Sequence, residues 1–143
     1  MYQSILFPTD GSELSIKAAD AAIQLAKALG AKLIVWAGAE VYALPLAVQA
    51  AVDQNLLIAE ALNEAQAAVD GIVTRAAAAG IACEGATAVT DSPWQGIIQA
   101  TDDHACDLVF MASHGRRGVA ALLLGSQTQK VLTHSSVPVL VYR

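Results

Sequence analysis

Residues 111–132, MASHGRRGVAALLLGSQTQKVL, bring together residue types that could bind phosphate. Glycine lets backbone N–H groups approach an anion without an intervening side chain, and it also allows positive φ. Arginine neutralises phosphate charge. The segment supplies three glycines, two arginines and a hydroxyl, namely Gly115, Gly118, Gly125, Arg116, Arg117 and Ser126.

A helix is predicted to begin just after this loop, because Gln127 to Leu132 has helical periodicity. The first turn of a helix has unpaired N–H groups and a partial positive charge, worth ~0.3–1 kcal/mol to an anion at an exposed site. Gly125, Ser126, Gln127 and Thr128 lie at that position. We therefore expect the loop to wrap a phosphate chain.

Each of these residues also has an ordinary structural interpretation, and the sequence leaves that alternative open. The glycines could serve only in turns, the arginines could be solvated surface charges, and Ser126 could be only a helix N-cap. His114 is interpreted as a structural residue, or one exposed at the loop start, in preference to a catalytic one. No Walker loop, dinucleotide fingerprint, nucleophile elbow or metal-spaced His/Cys pair occurs.

Strands and helices are predicted to alternate along the chain, which indicates a parallel α/β sheet covered by helices on both sides. The first strand, Ser4 to Pro8, leads into a turn at Asp10 and a helix capped by Ser12 that ends at Gly30. The other predicted strands, apolar on both faces, are 31–38, 81–89, 106–112 and 137–143. The other predicted helices are 52–79, with one apolar stripe along it, and 94–102; a possible flap covers 40–53. We predict one domain, residues 1–143.

Composition narrows the function classes. The chain has 143 residues, 55% hydrophobic and 15% charged, which is typical of a folded domain. No run reaches the ~20 apolar residues of a membrane span, and the N-terminus has no signal-peptide pattern. The net charge of −5 disfavours nucleic acid as a partner. We expect a cytoplasmic protein with reduced cysteines, Cys83 and Cys106.

Two stretches resemble the universal stress protein family. ILFPTDGS is similar to the opening strand and Asp-containing turn of the family, and residues 106–143 are similar to its C-terminal signature. ATP-binding members carry Gly, two residues, Gly, nine residues, Gly, then Ser or Thr. Here Gly115 and Gly125 are separated by nine residues and Ser126 follows, while Ala112 replaces the first glycine. Asp91-Ser92-Pro93 stands where the family often has Gly-x-Pro.

The resemblance implies a doubly wound five-stranded sheet of order 3-2-1-4-5, similar to the adenine nucleotide alpha hydrolases, with ATP and Mg²⁺ as cofactors. Asp10 would bond the ribose or orient the magnesium through water, and Ala37 would lie against adenine. A homodimer would form through the C-terminal strand, residues Val137–Arg143. The nucleotide-binding residues implied are Pro8, Thr9, Asp10, Ala37, Met111, Ala112, His114, Gly115, Arg116, Arg117, Gly118, Gly125, Ser126, Gln127 and Thr128.

The expected role is nucleotide-dependent regulation in the stress response, through an unidentified protein partner. Three alternatives stay open. The first is a slow ATPase or phosphotransferase, although no general base is identifiable. The second is a nucleotide-free interaction module in which Ala112 and Asp91 mark a lost site. The third is a binder of AMP or a cyclic nucleotide.

Overall fold

The fold is seen in a computed structural model that describes residues 1–116 and 123–143. In this part of the chain the strands are β1 (Ser4–Pro8), β2 (Lys32–Glu40), β3 (Cys83–Thr90), β4 (Leu108–Ala112) and β5 (Val139–Tyr142). The helices are α1 (Glu13–Leu29), α2 (Leu46–Gln49), α3 (Gln54–Ala78), α4 (Pro93–Asp103) and α5 (Ser126–His134). All strand pairs are parallel and the order is β3-β2-β1-β4-β5, which confirms the predicted sheet.

The central strands are buried on both faces, as the apolar runs predict. Ile5, Leu6 and Phe7 of β1 have no exposed surface. Ile5 and Phe7 belong to a core that includes residues of α1 and α3, whereas Leu6 belongs to a second core with residues of α4 and α5. Helices therefore cover both faces of the sheet.

The edge strands differ from the prediction that every strand is apolar on both faces. Every residue of β3 and β5 is at least partly exposed, and Val89 is 51% exposed. An edge strand has a neighbouring strand on one side only, so its side chains are covered less completely. Leu140 of β5 is also exposed.

Helix ends follow the local sequence signals. The Ser12 hydroxyl accepts a hydrogen bond from the Ser15 N–H at the start of α1, and Gly30 ends the helix with φ of 65°. In α3 the predicted apolar stripe is buried only from Ala65 onward, and Leu56 is 56% exposed. None of the helices in residues 1–116 and 123–143 combines the length and apolarity needed to cross a membrane.

Asp107 ties the start of β4 to the start of β1. Its carboxylate accepts hydrogen bonds from the Gln3 N–H at 2.9 Å and the Ser4 N–H at 3.0 Å. Desolvation acts to raise the pKa of Asp107, but these backbone hydrogen bonds outweigh it, so the pKa is lowered from its usual value. The ionised carboxylate therefore stabilises the pairing of two central strands.

Candidate functional site

A cleft of about 560 Å³ lies at the carboxyl end of the sheet, where parallel α/β proteins bind ligands. Its walls come from the turn after β1, the end of β2, α3, the turn before α4 and the first turn of α5. Many of the sequence-predicted residues meet there. These are Thr9, Asp10, Ala37, Gly115, Arg116, Gly125, Ser126, Gln127 and Thr128.

A smaller cavity of about 130 Å³ shares part of this wall, including Thr9, Asp10 and Gly115. The other predicted residues that the structure describes line this cavity rather than the main cleft. They are Pro8, Met111, Ala112 and His114. Arg117 and Gly118, which the sequence also assigned to the site, lie outside the described residues.

Asp10 joins the turn after β1 to the loop after β4. Its Oδ1 accepts the Ser12 N–H at 2.9 Å, and its Oδ2 accepts the Arg116 N–H at 2.8 Å. A Cβ atom on Gly115 would overlap the Asp10 carboxylate, so only glycine allows this close approach. The Arg116 guanidinium lies over Gly11, whose positive φ of 74° also favours glycine.

Gly125 holds the start of α5 against the end of the β4 segment. Its N–H donates to the Ser113 carbonyl at 2.8 Å. A Cβ atom here would stand 3.2 Å from His114 Cα and 3.3 Å from the Ser113 oxygen. Since φ at Gly125 is −60°, glycine is favoured here by the close approach of the backbone and not by an unusual backbone angle.

Gly125, and not Ser126, is the N-cap of α5, which corrects the alternative that Ser126 is only a cap. Ser126 is the first residue of the helix, and no side chain caps this end. Within the described ranges, the Ser126 hydroxyl has no hydrogen-bond partner and lines the cleft. The hydroxyl and the unpaired N–H groups of the first turn can therefore donate to an anion.

The two threonines of the site use their hydroxyls inside the protein. Thr128 donates to the carbonyls of Ala112 and Ser113, both at 3.1 Å. The Thr9 hydroxyl lies 2.6 Å from that of Ser15 and accepts the Gly11 N–H. These side chains position the backbone around the site, because their hydroxyls are already engaged.

Gln127 connects α5 to α4. Its Oε1 accepts the Trp94 N–H at 3.0 Å, and the N-cap of α4, Ser92, makes no side-chain hydrogen bond of its own. Gln127 thus satisfies one of the orphan N–H groups at the start of α4. The Trp94 ring in turn lies against the His134 ring at a tilt of 33°, with ring centroids 4.4 Å apart.

Charges of both signs line the cleft. The acidic side chains are Asp10, Glu40, Glu64 and Asp91, and the basic ones are Arg116 and Lys130. This part of the wall therefore carries a formal charge of −2, from four carboxylates and two cations. An anionic ligand would therefore bind more tightly if it carried a cation that offsets this negative charge.

The donor set suits a magnesium ion only when a ligand supplies most of the oxygens. No group of three or more His, Cys, Asp or Glu in residues 1–116 and 123–143 could hold a metal by itself. Mg²⁺ is usually held by one or two carboxylates, water and substrate phosphates. Asp10 and Asp91, which both line the cleft, fit that mode.

Comparison with known proteins identifies the family. The family model described as "Universal stress protein family" matches residues 1–143. A universal stress protein of Thermus aquaticus is 32% identical over 146 residues, covering all of both chains. The chain belongs to the universal stress protein family.

Solved structures of the family share this architecture. UspA from Lactobacillus plantarum matches with a TM-score of 0.85 at 24% identity, covering 99% of this chain and 98% of that one, which shows the fold. A universal stress protein in complex with cAMP matches with a TM-score of 0.69 at 28% identity, covering 99% and 97%.

Sequence analysis of this universal stress protein missed the α3 wall of the site. Ala61, Glu64, Ala65 and Ala68 line the cleft at spacings that place them on one helical face. The pattern shows that these residues share a face, but not that the face covers the cleft. Lys130, one turn into α5, was also missed, and its spacing from Ser126 was the available signal.

Proposed function

We propose that this universal stress protein binds ATP with Mg²⁺ in the cleft at the carboxyl end of the sheet. The observation that carries the proposal is the start of α5, where Gly125, the Ser126 hydroxyl and the free N–H groups of the first turn face the cleft. These donors suit the oxygens of a phosphate chain.

The magnesium ion would offset the negative wall of the cleft. The Asp10 carboxylate accepts hydrogen bonds from two backbone N–H groups and has further lone pairs. It can therefore also accept a hydrogen bond from a water bound to the metal. Asp91 is the second candidate, at the mouth of the cleft. The ion supplies charge neutralisation, while the protein residues bind and orient the phosphates.

Binding is proposed to act as a signal and not as a step in catalysis. A ligand between Asp10 and Gly125 would hold the turn after β1 against the start of α5. This restraint would change the surface that a protein partner meets. A cytoplasmic location is part of the proposal, because the protein would need a supply of ATP.

We also propose a homodimer formed through β5. Backbone N–H groups of residues 109 and 113 donate to the carbonyls of Pro138 and Tyr142, so the alternate residues Val139 and Val141 direct their backbone groups outward. A second copy of the chain would pair with these groups and cover exposed Leu140.

A second candidate is a ligand with one phosphate. The structure of a relative that is 28% identical was solved in complex with cAMP. The small cavity has space for the ring system of a ligand with one phosphate or with three. The donors at α5 do not by themselves set the number of phosphates.

Titration of the emptied protein with ATP, ADP, AMP and cAMP tests the proposal, with and without Mg²⁺. We expect Mg-ATP to bind in the micromolar range and to bind more weakly when the metal is chelated. Tighter binding of AMP or cAMP would select the second candidate. No binding of any of the four would refute both.

A further inference from the structure

Trp36 has a polar group that the fold leaves unused. The side chain is 4% exposed, yet its indole N–H has no hydrogen-bond partner in residues 1–116 and 123–143. Buried Trp N–H groups usually find a partner. In the described part of the chain, no fully buried side-chain nitrogen or oxygen lacks one, so this N–H must reach accessible space.

Glycines at two positions hold the indole in place. A Cβ atom on Gly96 of α4 would stand 2.7 Å from Trp36 Cη2, and one on Gly38 would stand 2.9 Å from the same atom. The benzo edge of the ring therefore fills a slot between β2 and α4. A ring held in this way presents its N–H in a fixed direction.

Trp36 lines the small cavity, and we take this cavity as the space that its N–H reaches. Trp36 lines it together with the apolar side chains of Ile97 and Met111, which are also buried. The hydroxyls of Thr9 and Thr128 on the same wall are already engaged within the protein. The cavity wall is more apolar than polar, and its polar side chains include Asp10, Glu40, His114 and Gln127.

We infer that Trp36 is a specificity-determining residue, which donates its indole N–H to an acceptor atom on the aromatic base of the ligand. The inference rests on the proposed function, because it takes the ligand to be a nucleotide. A volume of about 130 Å³ is close to that of an engineered cavity of about 150 Å³ that binds benzene. The acceptor is a ring nitrogen or a ring carbonyl oxygen.

A donor that is left unpaired disfavours a ligand that lacks the matching acceptor. The site would therefore discriminate among bases by the acceptor that faces Trp36. Apolar contact with Met111 and Ile97 would add affinity without distinguishing one flat ring from another.

The test compares wild type with Trp36→Phe, which keeps an aromatic ring but removes the N–H. Mg-ATP and its 1-deaza, 3-deaza and 7-deaza analogues are titrated by calorimetry into both proteins. We expect one analogue to bind wild type about fivefold more weakly than ATP. We expect Trp36→Phe to bind ATP more weakly than wild type by a similar factor, and to bind that analogue with the same affinity as wild type.

Fluorescence provides a second measurement that does not depend on the folding of Trp36→Phe. In a Trp94→Phe background Trp36 is the remaining tryptophan, since the chain has two. We expect its emission to change on saturation with Mg-ATP.

Three results would overturn the inference while leaving ATP binding intact. In the first, Trp36→Phe weakens the binding of ATP and of all three analogues equally. In the second, wild type binds all three analogues as tightly as ATP. In the third, Trp36 emission is unchanged at saturation with Mg-ATP. Absence of any ATP binding to wild type would instead refute the proposed function, and the inference with it.

Discussion

The Asp10 carboxylate occupies the space that a side chain on residue 115 would need. Oδ2 of Asp10 accepts the Arg116 N–H at 2.8 Å, and a Cβ atom on Gly115 would overlap this carboxylate. The turn after β1 and the loop after β4 are 105 residues apart in sequence, yet they are fitted to each other at this contact. The glycine is thus explained by a neighbour in space and not by a turn.

Gly115→Ala should separate these two segments and weaken Mg-ATP binding by about tenfold. The added methyl group must displace either Asp10 or the Arg116 backbone. Calorimetric titration measures the change. The matched control is Gly71→Ala in α3, where no atom beyond the adjoining residues and the backbone of the helix itself lies within 4 Å of the added Cβ.

Gly71→Ala should bind Mg-ATP as wild type does and should be slightly more stable, because alanine is favoured over glycine inside a helix. Equal affinity of Gly115→Ala and wild type would show that the Asp10 contact is not part of the binding site.

Gln127→Ala should destabilise the protein by about 1 kcal/mol, since the Trp94 N–H at the start of α4 loses its acceptor. Gln127→Glu keeps an oxygen at this position and places a negative charge at a helix N-terminus, so its stability should be close to that of wild type. Urea unfolding measures both variants. Equal destabilisation by the two changes would mean that the hydrogen bond contributes nothing.

Asp107 should make stability depend on pH in acid. Its folded-state pKa is lowered, so its contribution is fully present above the unfolded pKa of about 4 and is lost as pH falls through the folded value. Asp107→Asn should lower stability at pH 7 and flatten the decline below about pH 4. Urea midpoints measured from pH 2 to 7 check this. Parallel curves of urea midpoint against pH for the two proteins would exclude Asp107 as the source of the acid-dependent loss of stability.

Val141→Pro should convert a dimer to a monomer. The N–H of Val141 points away from β4, so proline removes an outward donor and leaves the β4 ladder intact. Sedimentation equilibrium at micromolar concentration should give a dimer for wild type and a monomer for the variant. A monomeric wild type, or a dimeric Val141→Pro, would contradict pairing through β5.

The sheet could be predicted because its signals are local or general. The apolar run from Ser4 to Pro8 matches β1 residue for residue, and Ser12 and Gly30 bound α1 as their types predict. The strand order came from the family resemblance. The exposure of β3 and β5 was missed, because an apolar run does not show whether its strand lies at an edge.

The convergence of the candidate site residues could be predicted, but their contacts could not. Residues at strand ends and around Gly125 were placed together, as expected from a parallel sheet. The engagement of Thr128 by the β4 carbonyls and the coverage by Glu64 depend on contacts between distant segments. Residue types and spacing carry no information on such contacts.

The most direct test of the central claim, anion binding at the start of α5, is calorimetric titration of Mg-ATP into wild type, Gly125→Val and Gly71→Ala. Circular dichroism and urea unfolding confirm that each variant is folded. A valine at residue 125 would crowd Ser113 and His114, which stand 3.3 and 3.2 Å from its Cβ position, and its two methyl groups would add to that crowding at the start of α5. We predict micromolar binding for wild type and Gly71→Ala, and no measurable binding for Gly125→Val. A folded Gly125→Val protein that binds Mg-ATP as wild type does would contradict the proposal.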